Sequence, residues 1–276
     1  MKIALCLHGL VGTNYKYGTG FKKIPYQIGL EHFKRHLFDI NPHVDTFIHT
    51  WSTDFENELK DAYAPVSIVA EQQPEFRSKE ELKNAVKASM KGDQTPQQKI
   101  DRKQAIHCRW YSAKKAIELV KQSATDYDFI LLTRFDVAFL VDFNFSEFDT
   151  EKFYIQGPPG PNQNGLSILN DLWFFAKPEH MYRVCSLSKK LQNDEYLPHI
   201  DSNHELFRKH LLLNGLDDKV EYKFKWEWNG APGKIMSDTP LVRWHYEEFL
   251  EDSLKTDALS RLLKQKREEY AITFSP

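Results

Sequence analysis

Apolar and polar positions fall into alternating blocks along the first half of the chain. Ile3 to Leu7 form an apolar run that stops at His8 and Gly9, as expected of a short strand buried on both faces. The stretch YQIGLEHFKRHLFDI carries Ile28, Phe33 and Leu37 with charges between them, at spacings that share one helix face. VDTFIHTW then predicts a second strand, FENELKDAYA a helix, VSIVA a third strand and RKQAIHCRWYSAKKAIELVKQ a long amphipathic helix. That helix leads into DFILLTRFDVAFLVDF, residues 128–143, where Phe129 to Leu132 predict a fourth buried strand. Strand and helix in turn imply an α/β fold with a mostly parallel, Rossmann-like sheet.

The pattern changes in two places. The segment EQQPEFRSKEELKNAVKASMKGDQTPQQKID is polar and poor in core residues, which predicts a surface excursion with a short helix around Glu80 to Met90. Past residue 143, KFYIQGPPGPNQNG, DLWFFAKPEHM and KVEYKFKWEWNG alternate aromatic runs with Gly, Pro and Asn turns, so a smaller mixed sheet is expected there. Leu254 to Tyr270 predict a charged C-terminal helix packed on the surface.

Composition narrows the function classes. A chain of 276 residues can bury a large core as one domain. With 37 Lys plus Arg against 39 Asp plus Glu, it has no electrostatic drive toward nucleic acid or an anionic membrane. Cys6, Cys108 and Cys185 are widely spaced and form no CxxC pair, arguing against a disulfide framework or structural zinc and for a reducing, cytoplasmic setting. The first apolar run is too short for a signal-peptide core, and no stretch approaches the roughly 20 apolar residues of a membrane helix. A soluble protein is expected.

In open α/β sheets, ligands bind outside the carboxyl ends of the strands. Strand one ends in HGLVGTNYKYGTG, strand two in HTWSTD and strand four in TRFDVAF, which makes His8, Gly9, Thr50, Arg134 and Asp136 candidates for one site. HGLVG is neither a GxxxxGK[ST] phosphate loop nor a GxGxxG fingerprint, and Gly18 and Gly20 form only a turn-like GTG. In RFDVAF a carboxylate closes a buried strand: Arg134 and Asp136 either staple the strand end or face a ligand. Asp171, ahead of the apolar WFFA, is either a turn residue or a general base beside the loop GPPGPNQNG. Arg109, Ser112 and Lys115 share a face of the long helix that could reach the same strand ends, Ser112 being a candidate nucleotide contact, while Lys114 and Lys115 read more simply as solvated helix residues. His199 and His204 resemble ligand spacing, but Asp201 or Ser202 with Glu205 behind it reads more simply as a helix cap.

The segments IALCLHGLVG, DTFIHTWS, RWYSAKKAIEL, FILLTRFDVAF and DLWFFAKPEHM together resemble a group of small GT-A-type glycosyltransferases found in bacteria and large algal viruses, which includes a xylosyltransferase of chlorella viruses. The resemblance covers most of Met1 to Met181. It implies a single GT-A-like domain: residues 1–143 binding a nucleotide-sugar, with a UDP-sugar and xylose as the favoured donor, residues 144–250 binding a glycan acceptor, and a helix in 251–276. It further implies an acidic motif, usually Asp-x-Asp, that ends the fourth strand and binds Mn2+ or Mg2+; an inverting transfer would also need a base opposite the leaving diphosphate, for which Asp171 is the candidate, its other reading being a turn residue. Here Arg134 stands in place of the first acid. Either Asp136 anchors the metal with help from elsewhere, or Arg134 itself contacts the diphosphate; His245 reads either as a second metal ligand or, more simply, as a histidine satisfied within an aromatic strand. A nucleotidyltransferase acting on sugar phosphates and a noncatalytic carbohydrate-binding protein are the competing readings.

Overall fold

The computed structural model describes residues 1–11, 14–17, 20–23, 26–157, 160–161, 167–193, 195, 202–225, 237–242 and 249. In chain order the elements are β1 (Ile3–Gly9), β2 (Asn14–Tyr17), β3 (Gly20–Lys23), α1 (Tyr26–Phe33), β4 (Val44–Thr50), α2 (Glu56–Tyr63), β5 (Ser67–Ala70), α3 (Lys79–Ser89), α4 (Thr95–Gln122) and β6 (Phe129–Arg134). They continue with β7 (Phe153–Gly157), β8 (Gly160–Pro161), β9 (Ser167–Ile168), β10 (Trp173–Ala176), α5 (Pro178–Cys185), α6 (Leu187–Gln192), α7 (Asn203–Leu213) and β11 (Val220–Lys225).

Seven strands form one sheet in the order β11-β7-β10-β6-β1-β4-β5. The pairs β6-β1, β1-β4, β4-β5 and β11-β7 are parallel, and β10 runs against both β6 and β7. The smaller mixed sheet expected after residue 143 is thus not separate. The aromatic strands β7, β10 and β11 extend the parallel sheet itself, because Phe174 and Phe175 of β10 are buried and pack both faces of the common core.

Each strand of the centre is apolar on both sides because helices cover both faces. Beneath α4, α5, α6 and α7 lie Cys6, Phe47, Leu132 and Phe174, with Trp110 and Phe207 stacked at 5.4 Å. Beneath α1 and α2 lie Leu5, Leu7, Ile48, Leu131 and Phe175, with Phe129 and Phe175 stacked at 4.3 Å. All three cysteines are buried free thiols, and among the described residues no helix is long and apolar enough to cross a membrane.

The polar excursion is an ordered helical hairpin. The helix expected at Glu80–Met90 is α3, opened by a capping box in which Ser78 Oγ accepts from Glu81 N–H at 3.1 Å and Glu81 Oε2 accepts from Ser78 N–H at 2.7 Å. The long helix starts seven residues earlier than its amphipathic pattern shows, at Thr95, with Pro96 in its first turn. Charge holds the hairpin where apolar residues are scarce: Arg77 bridges Glu75 and Asp101, and Lys103 reaches Glu81 at 2.9 Å. The pairing of β2 with β3, which runs past HGLVGTNYKYGTG to Lys23, is an element the sequence pattern did not predict. The predicted helix at 254–270 lies outside the described residues.

Candidate functional site

The carboxyl ends of β1, β4 and β6 meet at one edge of the sheet, and the start of the antiparallel β10 reaches the same edge. Register places His8 beside His49 on one side and Arg134 on the other. Side chains alternate along a strand, so His8 shares the face of Cys6, whose Sγ lies against the Ala116 carbonyl of α4. The polar residues at the strand ends therefore gather under the middle of α4, where Arg109 and Ser112 project toward them.

Ser112 is buried and organises the β1 and β4 ends. Its Oγ accepts from Gly9 N–H at 2.9 Å and lies 2.7 Å from His49 Nδ1. His49 Nε2 meets Glu71 Oε1 at 3.1 Å, which puts the imidazole proton on Nε2 and leaves Nδ1 to accept from the Ser112 hydroxyl. Burial lowers the His49 pKa more than Glu71 raises it, so the ring stays neutral near pH 7. Thr50 completes the arrangement, donating to the Gly9 carbonyl at 3.0 Å and accepting from Ser52 N–H at 3.1 Å. Gly9 itself has φ of 104°, a backbone state that favours glycine and turns the chain out of β1. Ser112 and Thr50 thus act on Gly9 through hydrogen bonds and present their hydroxyls to the protein.

At the end of β6, Arg134 and Asp136 form a two-pronged pair: Nε donates to Oδ1 at 2.8 Å and Nη2 to Oδ2 at 2.7 Å. Both side chains retain limited exposure, 21% and 11%. Across the edge, Arg109 Nε lies 3.3 Å from Asp171 Oδ2, and its Nη2 donates to the Asp171 carbonyl. Asn203 Nδ2 also donates to Asp171 Oδ2, and His204 Nδ1 is 3.9 Å from Oδ1. Burial would raise the Asp171 pKa, but Arg109, His204, Arg134 and Asn203 outweigh it and hold the carboxyl below its ordinary range. Between the two arginines sits His8, whose Nδ1 is sealed from solvent and has no hydrogen-bond partner among the described residues. Burial, then the positive fields of Arg109 and Arg134, keep His8 neutral.

The edge therefore gathers His8, Gly9, Thr50, Ser112, Arg134, Asp136 and Asp171. His245 lies outside the described residues. Trp173 belongs to the core, fully buried with Nε1 donating to Thr239 Oγ1 at 2.9 Å. Ser202 caps α7 by accepting from Glu205 N–H at 3.1 Å, and this cap turns His204 and Asn203 toward the strand edge. His199 and Asp201 are outside the described residues. Reasoning from the chain alone missed Asn203, His49 and Glu71. The signal for Glu71 was available, since it is the first polar residue after β5.

A divalent cation does not fit the described residues. Both oxygens of Asp136 accept from Arg134, and among the described residues no group of three or more His, Cys, Asp or Glu is placed to hold a metal ion. Comparison of the chain with protein-family models and with curated proteins gives no match in either.

Proposed function

We propose that the chain is a GT-A-like glycosyltransferase that moves a sugar from a nucleotide-sugar to a glycan acceptor with inversion, UDP-xylose being the first donor to test. One observation carries the reading: two Arg–Asp pairs stand close together at the carboxyl edge of a mostly parallel sheet, Arg134–Asp136 just past its fourth strand in chain order and Arg109–Asp171 opposite. Breaking a sugar–diphosphate bond needs positive charge where the diphosphate leaves and a base where the acceptor hydroxyl arrives. In this reading the acceptor oxygen attacks the anomeric carbon as its proton passes to an Asp171 carboxylate oxygen. The bond from that carbon to the phosphate oxygen breaks, and its electron pair departs with the diphosphate beside Arg134. The Gly9 backbone, fixed by Ser112 and Thr50, borders the donor. Three buried free thiols accord with action in the cytoplasm.

The test is slow hydrolysis of a panel of nucleotide-sugars by the purified protein, followed by release of the nucleoside diphosphate. Turnover of one donor identifies base and sugar together. Release of pyrophosphate from a nucleoside triphosphate and a sugar phosphate would instead assign a nucleotidyltransferase. Thermal stabilisation by free glycans, with no nucleotide-sugar hydrolysed or bound, would assign a carbohydrate-binding protein.

A further inference from the structure

We propose that the diphosphate is received by the Arg134 guanidinium, with no divalent cation between protein and phosphates. This rests on the transferase reading and specifies how its leaving group is held. The carboxylate available at the end of β6 is already committed, its two oxygens at 2.8 and 2.7 Å from Arg134 Nε and Nη2. Mg2+ or Mn2+ would have to displace that fork, and among the described residues no group of three or more His, Cys, Asp or Glu is placed to hold the ion.

The second acid is no more available. Asp171 is engaged by Arg109, Asn203 and His204, and a cation arriving there would meet two arginines. The fork also does positive work for an anion. Arg134 Nε and Nη2 donate to Asp136, and that pairing fixes the plane in which the guanidinium lies. At the end of β1, Arg109 and Arg134 both disfavour the charged form of His8 and both favour the charged form of Asp171.

The experiment is calorimetric titration of the full chain with UDP, GDP, CDP, ADP and inorganic pyrophosphate, in EDTA and again in Mn2+. At least one nucleoside diphosphate should bind in EDTA, with Kd changed less than about threefold by Mn2+. Arg134→Met should weaken that binding about 10-fold or more while leaving the parent nucleoside unaffected, the scale of one lost charge-assisted hydrogen bond. Asp136→Asn should bind at least as tightly as the native chain, because it removes a negative charge and leaves the guanidinium in place. Should Arg134→Met fail to fold, Arg134→Lys and Asp136→Asn carry the test, the former weakened by loss of the fork. Binding that requires Mn2+ and disappears in Asp136→Asn overturns the inference and leaves the transferase reading standing. Absence of binding by every nucleoside diphosphate and by pyrophosphate, with and without metal, overturns both.

Discussion

Arg109 and Asp171, separated by 62 residues, are joined at two points: the guanidinium donates to the Asp171 carbonyl and lies 3.3 Å from its carboxylate. The contact pins the loop before β10 to the middle of α4, the helix that also holds the end of β1 through Ser112. With side chains only 14% and 13% exposed, loss of one partner leaves a charge in a poorly solvated position. Arg109→Met is expected to lower stability by about 2–4 kcal/mol in urea denaturation. The double variant with Asp171→Asn should recover part of that loss, since the stranded charge is gone. A cost under about 0.5 kcal/mol would mean the pair behaves as a solvated surface bridge.

Ser112 distinguishes a positioning role from direct contact with a ligand. Ser112→Ala strands two buried groups, Gly9 N–H and His49 Nδ1, and should cost about 1–3 kcal/mol. Nucleotide affinity should fall in step with that of Gly9→Ala, which strains the same turn. Weakened binding in Ser112→Ala with stability untouched would make the hydroxyl a direct ligand contact.

Acid should destabilise the fold in two separate ranges. His8, His49, His180 and His210 are held below the ordinary imidazole value of 6.5, chiefly by burial. The unfolded chain then binds protons that the folded chain refuses, so stability is full above pH 6.5 and falls as pH drops from there toward the folded values. Asp171 is depressed below 3.8, so its contribution is present above that value and is lost only as pH falls further. Urea midpoints measured from pH 8 to 5 should therefore decline below about 6.5, within the histidine window. A midpoint that stays level to pH 5 would show that these imidazoles are protonated in the fold at little cost.

The sheet was legible because burial leaves a strong mark on sequence. Ile3–Leu7, Phe47–Ile48 and Phe129–Leu132 are apolar on both faces, and each belongs to a central strand. The Arg134–Asp136 pair was legible too, since charges at the end of such a strand must find partners. The grouping of β7, β10 and β11 with the parallel sheet was hidden, because an aromatic strand reads alike in a separate sheet or a shared one. The α3–α4 hairpin was hidden for the opposite reason: it buries Ala85 and Ile100 but few other apolar residues, and its charged pairs at Arg77 and Lys103 look the same on a solvated loop. Asn203 and His204 come to Asp171 from the start of a helix 32 residues on, a distance no local pattern reports.

Gly29 tests whether the turn carrying Asp136 depends on its packing. A Cβ there would run into the Phe135 carbonyl oxygen and lie 3.2 Å from that of Val137, backbone atoms with little freedom to give. Gly29→Ala should push α1 away from the residues that follow β6 and cost about 1–3 kcal/mol, despite alanine's better helix propensity. An unchanged or raised urea midpoint would show that α1 can slide without disturbing that turn.

The base assignment has the sharpest kinetic signature. If Asp171 takes the acceptor proton, Asp171→Asn should lower turnover by about 100-fold or more while donor affinity changes little, because the donor is held at Arg134 and Gly9. Arg109, His204 and Asn203 keep the carboxylate ionised at neutral pH and make it a weak base, so its reactivity depends on the proton being lost late, as the new glycosidic bond forms. The acid limb of kcat/KM due to Asp171 should then lie below its ordinary value of 3.8, beneath the range in which the histidines titrate. Arg109→Met relieves the largest opposing charge and should move that limb upward, a change that a purely structural Asp171 would not produce. The product must carry the opposite anomeric configuration to the donor, which NMR of the first turnover reads directly. Retained configuration would remove the need for a base on the acceptor side and sink the assignment. Loss of donor binding in Asp171→Asn would place the residue on the sugar instead.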